Sequence, residues 1–141
     1  DQGQDVYAVQ YDYEKACDVA PDACLGAPYF NWGVMMLPVF QSIQDGTYTR
    51  QFVWGGPDWA DINNLDTSVI GFKKSDGLSA ENSALLDQFI AELAGGLNLW
   101  TGPLNYQDGS EFLADGVEAT PQQIWYLPQL LEGMTGDSVA E

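Results

Sequence analysis

The sequence contains no histidine and only 4 lysine and arginine residues, against 21 aspartate and glutamate residues. Without histidine the chain cannot itself form a Ser–His or Cys–His catalytic pair, nor bind zinc through imidazole. The net charge of −17 argues against nucleic acid as a partner, because phosphate binding requires basic side chains to displace counterions. It argues equally against anionic membrane surfaces. The acidity instead predicts solubility or adaptation to a salty medium, with a cationic partner or metal ions as the alternative.

Cysteine is also scarce, with Cys17 and Cys24 as the only two in the chain. Two thiols cannot build a four-thiolate metal site. Because they lie seven positions apart in a predicted loop, the spacing predicts one disulfide, which stabilises by roughly 2–3 kcal/mol. A disulfide points to an oxidising compartment. Two buried free thiols are the alternative.

No apolar run approaches the ~20 residues of a membrane span. The length of 141 residues, with 45% apolar and 13% aromatic content, predicts one domain with a real core. The chain begins DQGQDVYAV, with neither an initiator methionine nor a basic segment. We therefore expect a processed piece of a longer protein.

The first third of the chain predicts a strand, a loop, a second strand and a helix. Val6 to Gln10 is typical of a strand covered on both faces, and Leu25 to Tyr29 alternates like a short strand. Asn31 is a favourable N-cap for a helix over Trp32 to Asp45. That helix is apolar almost all round, which predicts burial, and Pro38 is expected to bend or break it.

The rest of the chain continues the alternation of strands and helices. Strands are predicted at Gln51 to Trp54, Thr67 to Phe72 and Leu97 to Trp100, with Lys73 and Lys74 in a solvated turn. Ser79 caps an amphipathic helix over Ala80 to Ala94, Tyr106 to Ser110 forms a hairpin turn leading into Glu111 to Leu113, and Thr120 begins a last helix that places Ile124, Leu127 and Leu131 on one face. This order predicts an α/β fold with a parallel sheet flanked by helices. Residues 137–141 are predicted to be an acidic tail.

Ligands of such sheets gather at the carboxyl ends of strands, where Asp12 and Trp54 are expected, with Asn31 at the start of the following helix. A carboxylate there accepts two hydrogen bonds from a vicinal diol. The alternatives for Asp12 are a solvated loop acid and a catalytic pair with Glu14.

Aromatic side chains flank this predicted mouth, and their flat faces suit a planar heterocycle or a sugar at ~1–3 kcal/mol for each stacked ring, unless they are ordinary core. They are Tyr29, Phe30, Trp32, Trp54 and Trp59. The oxygen-bearing residues between Asp58 and Asp66 lack the spacing of an EF-hand, so we expect no metal and no cofactor.

Five segments resemble one family. They are VYAVQYDYE, APDACLGAPYFNWGV, DGTYTRQFVWGG, WTGPLNYQDGS and IWYLPQLLEGMTG, in order over roughly Asp5 to Gly136. They are similar to segments of the basic membrane protein family of substrate-binding lipoproteins, which feed ABC importers for nucleosides and nucleobases. The chain departs from the family in two ways. The family's GxDxD motif is replaced by Gln10-Tyr-Asp-Tyr-Glu, and the chain is strongly acidic although the family is named for basic proteins.

The resemblance implies the C-terminal part, residues 1–136, of a two-lobed type I periplasmic-binding-protein fold, whose N-terminal lobe is a missing or separate chain. It matches Asp12 to the acid that binds ribose hydroxyls, and Asn31, Trp32 and Trp54 to positions facing the cleft. Phe30 stands where many members have a lysine that also meets the sugar, which favours a bare nucleobase.

The function implied is therefore solute capture, not enzymatic conversion. The expected ligand is a purine nucleobase or nucleoside, the expected partner is an ABC permease, and the expected location is extracytoplasmic, with a membrane anchor in the full-length form. One alternative is a self-assembling structural or adhesive extracellular domain, because a lone half-lobe exposes an apolar face. The other is a hydrolase using Asp12 and Glu14, although two acids on one short turn do not readily face each other.

Overall fold

The computed structural model describes residues 6–138, so the start of the chain and the last three residues of the predicted acidic tail lie outside the described part. The chain forms two compact units, Asp1–Ala94 and Gly95–Glu141. The elements of the first unit are β1 (Ala8–Val9), β2 (Cys24–Phe30), α1 (Trp32–Gln44), β3 (Ile70–Lys74) and α2 (Ala80–Ala94). Those of the second are β4 (Leu104–Asn105), β5 (Glu111–Leu113) and α3 (Pro121–Trp125). The architecture is thus mixed α/β, as predicted, and the prediction of one lobe-like portion over residues 1–136 stays a prediction.

The sheet of the first unit is mixed rather than parallel. Its strand order is β1-β2-β3, and β2 pairs in parallel with β1 and antiparallel with β3. The prediction of a parallel sheet is therefore wrong for β3, which follows β2 through a helix and a long loop but runs the opposite way. Strand direction depends on how the connection returns to the sheet, and the apolar pattern of a strand does not encode it.

The most buried side chains lie on β2 and the loop before it. Ala27 is fully buried, and Cys17, Cys24 and Tyr29 are almost so. By contrast Ala8 and Val9 of β1 are exposed, so the prediction of a first strand covered on both faces is wrong. Within the described chain β1 is an edge strand that pairs only with β2.

The loop between β1 and β2 contains two short 3-10 helices, Ala16–Val19 and Pro21–Ala23. Cys17 and Cys24 form a disulfide across it, with their Cα atoms 5.5 Å apart. Of the two alternatives the structure thus contains the disulfide, which ties the loop to the start of β2.

Helix α1 begins after Asn31 and runs unbroken through Pro38, so the predicted break near Leu37 is absent. None of its residues is buried, and Leu37 and Phe40 are 67% and 61% exposed. The prediction of a buried helix is wrong for the described chain. A helix that is apolar all round needs cover on every side, and the described residues cover it only in part.

Two predicted strands are irregular segments, and one is shifted. Residues 51–54 and 97–100 form no strand, and β3 begins at Ile70 rather than at Thr67. Lys73 and Lys74 therefore lie within β3 and not in a turn, so that prediction is wrong. Lys74 instead forms an ion pair with Asp87 of α2, with Nζ and Oδ1 2.5 Å apart.

Helix α2 has the predicted bounds, and Ser79 Oγ accepts a hydrogen bond from the backbone N–H of Asn82 at 3.2 Å. No helix in residues 6–138 is long and apolar enough to span a membrane.

The second unit contains the predicted hairpin, with β4 and β5 antiparallel around a turn at Gly109. Gly109 has a φ of +83°, which glycine adopts without steric cost. Thr120 and Gln123 form the predicted capping box at the start of α3. This helix ends at Trp125, so Leu127 and Leu131 lie beyond it and the predicted apolar face across them is wrong.

Candidate functional site

The carboxyl ends of β1 and β2 meet at one edge of the sheet, because the two strands are parallel. Just beyond β1 the backbone N–H of Asp12 donates to the carbonyl oxygen of Pro28 at 2.9 Å, and the backbone N–H of Phe30 donates to the carbonyl oxygen of Asp12 at 3.3 Å. Asp12 also forms an isolated parallel bridge with Tyr29. Its backbone is thus fixed beside the end of β2, as expected for a residue at a strand end.

Asp12 has a φ of +76°, and no other non-glycine residue of the described chain has a positive φ. Aspartate and asparagine adopt this left-handed conformation more readily than other side chains. The Asp12 side chain is exposed. Within residues 6–138 no basic side chain forms an ion pair with it. Its carboxylate therefore faces solvent from a fixed position at the edge of the sheet.

Three aromatic rings, which we call the aromatic lip, lie beside Asp12. The Tyr11 ring meets the Phe30 ring edge to face with centroids 5.6 Å apart, and the Phe30 ring contacts the Trp32 ring at 5.3 Å. Tyr11 is 68% exposed and Trp32 is 57% exposed. Exposed ring faces next to a carboxylate combine a stacking surface with a hydrogen-bond acceptor.

Asn31 lies between Phe30 and Trp32 and attaches this edge to the segment before β3. Its backbone N–H donates to the carbonyl oxygen of Val69 at 2.8 Å. Its side-chain Nδ2 donates to the carbonyl oxygens of Leu65 and Ser68, the latter at 3.1 Å. The side chain makes no capping hydrogen bond to α1, although the residue occupies the predicted N-cap position.

The acidic loop, residues 58–68, is held together by its own hydrogen bonds. The backbone N–H of Asp58 donates to Ser68 Oγ at 2.9 Å, and Thr67 Oγ1 donates to Asp58 Oδ2 at 2.5 Å, which closes the loop at its base. The Thr67 hydroxyl, followed by the backbone N–H of Ala60, lowers the pKa of the Asp58 carboxyl. Within the described residues no cluster of three acidic, cysteine or histidine side chains is placed to hold a metal ion.

Tyr29 connects the acidic loop to the sheet. Its hydroxyl donates to Asn63 Oδ1 at 3.0 Å, and the same oxygen accepts the backbone N–H of Phe72 at 3.1 Å. Burial raises the pKa of the Tyr29 hydroxyl, and the nearby carboxylates of Glu14 and Asp61 raise it further. The hydroxyl therefore stays protonated and remains a hydrogen-bond donor at neutral pH.

The ring of Trp54 contacts a different aromatic side chain and not the rings of the aromatic lip. Its ring stacks on that of Phe52, with centroids 6.2 Å apart and planes 17° apart. The chain then passes Gly55, where a Cβ atom would lie only 2.7 Å from Met35 Sδ of α1 and 3.0 Å from the Val69 side chain. The structure thus brings Asp12, Phe30, Asn31 and Trp32 together and gives Trp54 a separate partner; its role as a ligand residue stays a prediction.

Two residues of this region were missed by the sequence analysis as site residues. Tyr11 directly precedes Asp12, and this position is a signal that it lies at the same strand end. Asn63 is one of the oxygen-bearing residues between Asp58 and Asp66, whose spacing predicts no metal site. Its pairing with Tyr29, 34 positions away, leaves no local signal in the sequence.

The chain is similar to a purine-binding protein of Brucella abortus (strain 2308), with 28% identity over 106 residues. These residues cover 74% of this chain and 28% of that protein, so the chain spans less than a third of the relative's length. No known protein-family model matches the chain.

Proposed function

We propose that the chain is part of the solute-binding component of an ABC importer, as the sequence resemblance to the basic membrane protein family implies. It captures a small planar ligand, a purine nucleobase or nucleoside, and does not convert it. The location is extracytoplasmic, with a membrane anchor in the full-length protein and an ABC permease as its partner.

The observation that carries the proposal is the aromatic lip beside Asp12. A purine stacks on an exposed aromatic ring at ~1–3 kcal/mol. A carboxylate next to the stacked ring accepts hydrogen bonds from ring N–H groups or from the two hydroxyls of a ribose. Phe30 contributes to stacking where a lysine would bind the sugar, so the ring surface favours the base over the sugar. The name of the similar Brucella protein points to the same ligand class.

The charges around the lip favour an uncharged or cationic ligand over a nucleotide. Asp12 lies next to the lip in the chain, and Asn31 attaches the acidic loop to the same edge of the sheet. Lys73 and Lys74 pair with Ala27 and Gly26, in the middle and first half of β2, away from the end that carries the lip. Phosphate recognition relies on arginine, lysine or clustered backbone N–H groups. We therefore expect nucleoside phosphates to be rejected.

The exposed side of α1 supports a second lobe in the full-length protein. Trp32, Leu37, Phe40 and Ile43 are all more than half exposed, and a patch of large apolar side chains is typical of a surface that another part of a protein covers. Closure of two lobes would exclude water from the stacked ligand.

Calorimetry on the full-length protein tests the proposal with hypoxanthine, adenine, inosine, adenosine and AMP. We expect saturable 1:1 binding of at least one base or nucleoside and no binding of AMP. If none of the bases or nucleosides binds, the proposed function is wrong.

Two substitutions identify the site in the same experiment. Asp12→Asn removes the charge while keeping a side chain that tolerates the positive φ. Since a hydrogen bond to a charged group contributes about 1.5–3 kcal/mol, we expect nucleoside affinity to fall by at least about tenfold and base affinity to change less. Asp115→Asn in the second unit makes the same charge change and should leave both affinities unaltered.

A further inference from the structure

Asn31 donates three hydrogen bonds, and all three go to backbone carbonyl oxygens within residues 65–69. The backbone N–H binds Val69, and the side-chain amide binds Leu65 and Ser68. Both amide hydrogens of the side chain are therefore committed within the protein. An asparagine in this state has no free N–H with which to bind a ligand.

We propose that Asn31 is a positioning residue that fixes the acidic loop beside the aromatic lip, so that the loop is a permanent wall of the ligand site. The inference rests on the proposed function for its effect on ligand affinity. It differs from the sequence-based expectation that Asn31 contacts the ligand itself.

The position of Asn31 in the chain explains how it can hold the lip and the acidic loop together. It lies directly between Phe30 and Trp32, two rings of the lip that contact each other at 5.3 Å. Any shift of its backbone therefore moves both rings. The Asn31 side chain also binds the carbonyl groups of Leu65 and Ser68, at the end of the acidic loop. The lip and the loop are therefore coupled through one residue.

The loop has the internal order that a fixed wall requires. Asp58 and Ser68 close its base at 2.9 Å, and Asp61 Oδ1 and Asn64 Oδ1 accept backbone N–H groups two residues further on, at 3.0 and 2.9 Å. Asn63 attaches the loop to Tyr29 and to the backbone of Phe72. The Asn31 side chain supplies the attachment nearest to the lip, so its loss frees the loop on that side while the Asn63 attachment keeps the rest in place.

Asn31→Asp isolates the donor function. Aspartate has nearly the same size and is as favourable at an N-cap as asparagine, so the start of α1 is retained. An ionised carboxylate accepts hydrogen bonds but cannot donate them, so both side-chain bonds to Leu65 and Ser68 are lost. We expect purine affinity of the full-length protein to fall by about tenfold at neutral pH, as for the loss of two hydrogen bonds.

Asn98→Asp is the matched control outside the proposed site. It adds the same negative charge, but Asn98 Oδ1 accepts the backbone N–H of Trp100 at 2.9 Å, and a carboxylate oxygen does the same. We expect its purine affinity to stay within about twofold of the unmodified protein. If Asn98→Asp weakens binding as much as Asn31→Asp, the added charge alone accounts for the loss and the proposal is overturned.

Hydrogen exchange supplies a readout independent of ligand. In Asn31→Asp we expect faster exchange of the backbone amides of residues 58–68, with unchanged protection in the β2–β3 ladder. If the loop is protected equally in Asn31→Asp and in the unmodified protein, the positioning role is wrong. Asn31→Ser keeps a favoured N-cap and one hydroxyl donor, so the exchange rates of its loop amides should lie between those of Asn31→Asp and the unmodified protein. It also provides a folded comparison if Asn31→Asp does not fold.

The two proposals fail differently. If the unmodified protein binds no base or nucleoside, the proposed function is wrong, while the exchange measurement still decides whether Asn31 holds the loop. If the unmodified protein binds a purine and Asn31→Asp binds it equally well, the proposed function stands and the positioning role is wrong.

Discussion

Tyr29 shows how one buried residue supports the candidate site through the acidic loop. It lies near the end of the central strand β2, directly opposite Gly71 in the antiparallel register of β2 and β3. Its ring lies over Gly71, where a Cβ atom would overlap the ring and the hydroxyl oxygen. The absence of a side chain at Gly71 thus allows the Tyr29 hydroxyl to reach Asn63 and attach the acidic loop.

We predict that Gly71→Ala destabilises the protein by about 1–3 kcal/mol, the usual cost of adding a methyl group to a filled interior. The ring of Tyr29 must move, and its hydrogen bond to Asn63 weakens as a result. Urea unfolding followed by tryptophan fluorescence measures the change in the free energy of unfolding.

Gly56→Ala is the matched control for this substitution. A Cβ atom at Gly56 meets no atom within 4 Å, so we expect a change within about 0.5 kcal/mol. A Gly71→Ala variant as stable as Gly56→Ala would show that the close approach of Tyr29 does not constrain the sheet.

The residues of the site could be predicted only as far as their position at strand ends allowed. Asp12, Phe30, Asn31 and Trp32 all lie at one edge, because the ends of two parallel strands mark that edge in the sequence. Their partners could not be predicted in the same way. The carbonyl groups that Asn31 binds are 34 to 38 positions away, and a hydrogen bond over that separation depends on the completed fold.

At the scale of elements, local signals gave accurate predictions and non-local ones did not. The bounds predicted for helix α2 are correct because its apolar period lies within the helix and its cap, Ser79, is the residue directly before it. The hairpin turn and the capping box of α3 are local in the same sense. Residues 51–54 and 97–100 have strand-like composition, but within residues 6–138 no strand pairs with them, and a strand exists only with a partner.

The turn between β4 and β5 holds the C-terminal segment of the second unit. Gln107 Nε2 donates to the carbonyl oxygens of Met134 and Gly136, at 3.1 and 2.9 Å. Asp108 Oδ2 accepts from Gln129 Nε2 at 3.0 Å, and its Oδ1 accepts the hydroxyl of Ser110 at 2.6 Å. The Gln-Asp pair before Gly109 is therefore an anchor for the chain after α3.

We predict that the Asp108 carboxyl titrates with a pKa of about 2, below its ordinary 3.8, because Ser110 and then Gln129 stabilise the charged form. A pKa lowered by folding stabilises the protein above the ordinary value, and this contribution is lost as the pH falls through about 2. NMR titration of the side-chain carboxyl carbon measures it.

Two variants test the cause. Ser110→Ala should raise the pKa of Asp108 most, since the Ser110 hydroxyl is the largest cause, and Gln129→Ala should raise it less. A pKa that stays near 2 in both variants would contradict the assignment of these two hydrogen bonds.

At the scale of the whole molecule, charge of one sign dominates. The chain has 21 acidic and 4 basic residues, which gives a net charge of −17. Within residues 6–138 one ion pair forms, between Lys74 and Asp87. Most carboxylates are thus exposed without a basic partner, and their mutual repulsion opposes the compact state. Salt acts on this repulsion directly, since the Debye length falls from about 30 Å at 0.01 M to about 8 Å at 0.15 M.

We therefore predict that the melting temperature rises steadily with NaCl between 0.01 M and 1 M, most steeply at the lower end, where the screening length changes most. Scanning calorimetry at pH 7 measures it, with KCl at equal ionic strength as the control for a specific effect of sodium. Sulfate is avoided, because it strengthens apolar burial in any protein. A melting temperature that is independent of salt would mean that the carboxylates are too far apart to repel one another appreciably, and the acidity would then bear on solubility alone.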